Sequence, residues 1–173
     1  MKSLSELAGE TLIIRRPSLM QNYYELIHYK EILGTIKPDS FFNTRRLVNI
    51  FSNQFEFYHP NFFSSEFAIK EALKELPYAK YRNDGFKFRG TVYLPRGERF
   101  KLIFRFFKGT FYIQTDNLQI LASFKYSIAV GERTMVKIEQ KSKLLDTYPW
   151  IIFLAWYLAV YRKLRYGKYL LAG

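Results

Sequence analysis

The sequence predicts an α+β fold: short N-terminal helices, an antiparallel β-meander of about five strands, and an apolar C-terminal helix packed on the sheet. Three observations predict it. Capping-type motifs punctuate residues 1–82, charged and apolar side chains alternate at a spacing of two through residues 86–141, and residues 149–161 are all apolar or aromatic. Period-two alternation marks half-buried antiparallel strands and collects the charges on one face.

In residues 1–82, Ser3 with Glu6 and Ser18 with Gln21 have capping-box spacing. The second pair follows Pro17 and opens a run through Tyr24, Leu26 and Ile32 that Gly34 and Pro38 end. Asp39 and Ser40 cap a third predicted helix carrying Leu47, Ile50 and Phe51. Ser64 or Ser65 caps a fourth, which stops at Leu76 before Pro77. Asn83, Asp84 and Gly85 then punctuate the change to strands.

From Phe86 the alternation is regular. Phe86, Phe88, Val92 and Leu94 oppose Lys87, Arg89 and Tyr93, and Phe100, Leu102, Phe104 and Phe106 oppose Arg99, Lys101 and Arg105. Turn signals at Pro95 to Gly97, Lys108-Gly109, Asp116-Asn117 and Gly131-Glu132 cut the block into about five strands. The closing helix starts near Pro149, a residue suited to a first turn, and ends in Arg162, Lys163 and Arg165, which suit the negative end of its dipole. Its apolar run of 13 residues falls short of the roughly 20 that span a bilayer. Burial against the sheet is therefore expected, with no transmembrane span and no membrane-surface role.

At 173 residues, with 49% hydrophobic and 24% charged, the chain reads as one soluble globular domain, 1–173. Residues 1–82 form its mainly helical part, and residues 83–173 its basic sheet with the C-terminal helix. The absence of cysteine excludes a disulfide scaffold, a thiolate zinc site and a cysteine nucleophile. Residues 1–10 lack the apolar core of a secretory leader, so an intracellular location is expected, cytoplasmic or within a viral or nucleoprotein assembly. The 14 Tyr, 17 Phe and 2 Trp exceed the needs of a core of this size, so some rings should anchor a partner. The net charge of +12 is uneven: residues 1–82 contribute +2 and residues 83–173 contribute +10. The basic footprint belongs to the sheet and the last helix.

Those patterns predict a non-catalytic basic binding protein that holds nucleic acid, DNA or RNA, or docks in a nucleoprotein or viral assembly through the sheet's cationic face. Lys87, Arg89, Arg99, Lys101, Arg105, Lys125 and Lys137 would contact phosphate, with Lys141 beside them. Tyr93 and Tyr112 would stack on unpaired bases. This reading requires no metal and no cofactor. Neither the aromatic RNP pattern, a GXXG loop nor zinc-finger spacing occurs. A rival from another class is a protein-interaction module, such as a virus-encoded inhibitor or structural subunit, docking an acidic partner.

One constellation points to chemistry instead. Asp116 closes one predicted strand, and Glu139-Gln140-Lys141 closes another that begins with Met135, Val136 and Ile138. An aspartate followed by Glu-x-Lys at the end of an apolar strand resembles the metal-dependent nuclease core of the PD-(D/E)-x-K family. The resemblance implies that two carboxylates hold Mg²⁺ while the lysine orients water for attack on a phosphodiester, with Glu71 or Glu75 as a further carboxylate. It covers only the C-terminal half, lacks a proline before Asp116, and has an extra strand between its two halves. Glu25 with His28 and Glu56 with His59 have the Glu-x-x-His spacing of di-iron bundles, but the second pair runs into Pro60 and both segments are too short for a ligand cage. No Gly-x-Ser-x-Gly elbow, P-loop, dinucleotide fingerprint or His-Glu-x-x-His motif occurs.

Overall fold

The computed structural model of the chain describes residues 3–18, 20–38, 45–61, 66–85, 88–127 and 133–170. Its twelve described strands are β1 Thr11–Arg15, β2 Tyr24–His28, β3 Glu31–Pro38, β4 Arg46–Ile50, β5 Asn53–Tyr58, β6 Phe67–Glu71, β7 Ala79–Asn83, β8 Arg89–Tyr93, β9 Arg99–Arg105, β10 Thr110–Gln114, β11 Ile120–Ser127 and β12 Arg133–Ile138. Two helices follow, α1 Lys143–Thr147 and α2 Ile151–Leu170. Every strand pairs with its sequence neighbours, and β1 pairs with β12 to close a barrel. The predicted α+β arrangement is therefore corrected to a closed antiparallel β-barrel around one helix.

Residues 86–141 do hold five strands, β8 to β12, but as part of a twelve-strand wall instead of a separate meander. The larger correction is to the first half of the chain, where strands β1 to β7, ending at Asn83, stand in place of the predicted helices. Val48 and Ile50 point inward from β4, as do Phe55 and Phe57 from β5, in period-two order. Near Ser3 only a short 3-10 turn forms, Ser5–Leu7, without a side-chain cap. Ser18 accepts from the Met20 amide at 3.3 Å and so closes a local turn. Leu73 and Leu76 stand exposed in the connection after β6. The predicted caps Asp39, Ser40, Ser64 and Ser65, and the turn at Gly131-Glu132, lie outside the described residues.

The C-terminal helix is also placed differently from the prediction. It does not lie on one face of a sheet but runs through the lumen. Trp150 packs on Phe55 and Phe57 of β5, Trp156 on Tyr24 of β2, and Tyr157 on Phe67 of β6. The Trp156 indole N–H donates to Thr134 Oγ1 of β12 at 3.0 Å, and Arg46 of β4 lies over the Tyr157 ring. With neighbours all around it, the helix must be apolar on every side, and Trp150 to Ala159 are all buried.

Geometry explains why a twelve-strand barrel needs such a filling. Strands about 4.8 Å apart and tilted by about 40° enclose a circle of roughly 12 Å radius, too wide for side chains from the wall to meet at the axis. A helix with its side chains is about 10–12 Å across and fills that space. Length matches as well. Strands of 5 to 8 residues rise roughly 13–20 Å along such an axis, and the 13-residue apolar run is about 20 Å long as a helix. The run too short for a bilayer is thus the height of the barrel.

The contacts of α2 also fix its direction. Tyr148, just before it, meets Phe100 at the start of β9, whereas Trp156 and Tyr157 meet the first residues of β2, β4 and β6. The helix therefore enters where odd-numbered strands begin and leaves where even-numbered strands begin. These are called the entry and exit ends below.

Candidate phosphate-binding wall

Inward apolar residues alternate with outward, mostly polar or charged ones along β8 to β12, and the register shows which of the outward ones are neighbours. One row runs from Arg89 through Ile103, Tyr112 and Ser123 to Lys137. The next row toward the exit end joins Arg105, Thr110, Lys125 and Met135. Toward the entry end, Thr91 pairs with Lys101 and Tyr93 with Arg99. A β-bulge between Ile113 and Gln114 lies beyond Tyr112 on the entry side, so it leaves Tyr112 and Lys125 on the outer face.

Of the predicted phosphate-binding residues, Arg89, Arg99, Lys101, Arg105, Lys125 and Lys137 therefore share the outer wall with Tyr93 and Tyr112. Lys87 lies outside the described residues. The wall is not uniformly available, however. Arg99 pairs with Asp116 at 3.1 Å, Lys137 with Glu139 at 2.9 Å, and Arg89 lies 3.6 Å from Asp84. The Lys101 ammonium donates to Thr91 Oγ1 at 2.9 Å, and the same hydroxyl donates to Asp84.

Along β9 to β12 the pairing stops toward the exit end. Among the described residues Arg105, Lys108, Lys125 and Arg133 are exposed and have no carboxylate partner. The Arg105 guanidinium lies 5.5 Å from the centre of the Tyr112 ring, which leaves its outer edge open to an anion. Phe107, in the three-residue turn Phe106–Lys108 between β9 and β10, is 98% exposed. Lys108, Arg133 and Phe107 were not among the sequence candidates. Their signal was an aromatic and a lysine at the Phe-Phe-Lys-Gly turn, and an arginine at a strand start.

The nuclease-like residues gather at the entry end, just beyond β10 and β12. Asp116 and Glu139 flank the start of β11, and the Gln140 side chain donates to the Ile120 carbonyl between them. Both carboxylates are engaged: Asp116 by Arg99, and Glu139 by the Ser123 hydroxyl and Lys137. The hydrogen bond from Ser123 holds the Glu139 carboxyl below its ordinary pKa, with Lys137 adding to the effect against partial burial. Lys141 is exposed. Among the described residues no three His, Cys, Asp or Glu side chains converge as a metal-holding group. Glu71 pairs with Lys74, and with Tyr78, Asp146 and Tyr148 it lines a separate cleft of about 620 Å³ at the entry end.

The two histidines stand apart. His28 lies 3.7 Å from Glu10, and His59 Nδ1 lies 3.0 Å from the Glu66 carbonyl oxygen. No helix among the described residues is long and apolar enough to cross a membrane. The wall has its apolar residues inside and its charges outside, the reverse of a membrane-spanning barrel.

No protein-family model matches the chain, and no curated protein matches it. Among solved structures it is similar to an X-ray structure of a protein from Arabidopsis thaliana, with a TM-score of 0.59 at 7% identity, covering 94% of this chain and 96% of that one. At that identity the likeness concerns the fold alone.

Proposed function

We propose that this chain is a non-catalytic, intracellular binding protein that holds nucleic acid, alone or within a nucleoprotein or viral assembly, through the outer wall of β8 to β12. The observation that carries this reading is the group of exposed cations, Arg105, Lys108, Lys125 and Arg133, at one end of that wall, which have no carboxylate partner among the described residues. Cations already neutralised within the protein gain little from a phosphate, because their own ion pairs must be broken first. Unpaired cations gain the full counterion-release term.

The test is affinity of the full chain for single- and double-stranded DNA and RNA at several salt concentrations. A linear fall of log affinity with log salt, with a slope corresponding to several phosphates, supports phosphate contact. Undetectable binding at low salt overturns it. The nuclease reading is less favoured, since Asp116 and Glu139 already have cationic partners. It predicts Mg²⁺-dependent cleavage that Asp116→Ala or Glu139→Ala abolishes, and intact labelled strands in Mg²⁺ or Mn²⁺ count against it.

A further inference from the structure

We infer that the wall takes single-stranded nucleic acid in preference to duplex, with an unpaired base stacked on Phe107; this rests on the nucleic-acid reading above and narrows it. Phe107 is 98% exposed at the tip of the β9–β10 turn, so its ring face is presented to solvent. The unpaired cations surround it: Lys108 follows in the same turn, Arg105 precedes the turn, and Lys125 faces Thr110 just beyond it. An aromatic platform bordered by phosphate-binding cations is what an unpaired nucleotide requires, because every base offers a π-face and every linkage a negative charge. In a duplex those faces are stacked on one another and closed to Phe107.

The shape of the wall argues the same way. Groove readers insert a helix or a two-stranded ribbon into duplex DNA, whereas the described part of this surface is convex barrel whose projection beside the cations is a three-residue turn. A second ring lies inward from the tip, Tyr112, already beneath Arg105. Lys125 lies across from Arg105 through Thr110, and on β9 the outward Ile103 separates Arg105 from Lys101.

The experiment uses the full chain with a labelled oligothymidine strand, a labelled duplex of the same length, and vesicles of phosphatidylcholine with phosphatidylserine, each over a salt series. Single strand should bind more tightly than duplex. Phe107→Ala should weaken strand binding about 5- to 100-fold with its salt slope unchanged, while Phe107→Trp retains binding and shows quenched fluorescence on strand addition. Arg105→Ala should lower the slope itself. Equal, salt-sensitive binding of strand and duplex that Phe107→Ala does not change overturns this inference and leaves the nucleic-acid reading standing. Loss of binding to every nucleic acid overturns both, and vesicle binding that depends on Phe107 without strand binding assigns the tip to a lipid surface.

Discussion

Gly34 sits where β3, β4 and the central helix come close together. A Cβ there would lie 2.5 Å from the Asn49 carbonyl oxygen and 3.0 Å from the Phe153 ring, and the first of these neighbours is backbone that cannot turn aside. Gly34→Ala should therefore destabilise the protein by about 1–3 kcal/mol, read as a lower midpoint in denaturant unfolding. The Trp156 to Thr134 hydrogen bond is fully buried, so Trp156→Phe should also lower that midpoint by leaving the Thr134 hydroxyl without its donor. At the surface, Ser123→Ala should raise the Glu139 pKa toward its ordinary value in a carbonyl-resonance titration. The sign follows from linkage: a carboxyl held low in the folded state adds stability above its unfolded pKa and loses it as pH falls through the lowered value. The stability difference between wild type and Ser123→Ala should accordingly be present at neutral pH and vanish in acid. At this scale the outward positions of Arg89, Arg105, Lys125 and Tyr112 were legible, because side-chain parity needs only the local sequence. The neutralisation of Arg89 and Arg99 was not, since Asp84 reaches Arg89 across a turn and Asp116 reaches Arg99 from beyond the neighbouring strand.

Among the elements, the hairpins of the first half explain why strands were mistaken for helices. The β4–β5 loop is Phe51-Ser52, with both residues at positive φ, 47° and 68°, and Tyr29 in the β2–β3 loop has φ of 53°. Two-residue hairpins normally announce themselves with Asn-Gly or Gly at such positions, and here they carry residues that read as part of an amphipathic run. Capping-like spacing at Ser18 then supplied a false helix start. Where glycine or Asp-Asn signals did occur, after Phe86, the strands were legible. Ser52→Gly should stabilise the protein by about 0.5–1 kcal/mol, checked by denaturant unfolding, because a non-glycine residue in the left-handed region carries strain that glycine does not. The closing helix was legible as apolar on all sides, but its neighbours were not, because a helix inside a barrel and one under a sheet share the same composition.

For the whole molecule, wall and helix depend on each other. The wall encloses a lumen that its own side chains cannot fill, and the helix segment from Ile151 to Ala159 has no polar face to show to water. A chain ending at Thr147 should fail to form a cooperative native state, visible as loss of near-ultraviolet circular dichroism and of a sharp thermal transition. The same architecture divides the charge. Asp116 and Glu139 at the entry end neutralise Arg99 and Lys137, whereas Arg105 and Lys125 toward the exit end of the same wall have no carboxylate partner among the described residues. Total charge was readable from composition, but this division required the barrel's register. The deciding titration compares the salt dependence of nucleic-acid binding for Arg105→Ala with Lys125→Ala against Arg99→Ala with Lys137→Ala. Each pair removes two positive charges from one surface. The first pair should reduce the slope by about 1.4–1.8 and weaken binding strongly, the second far less. Equal losses for the two pairs would contradict a site built from unpaired cations.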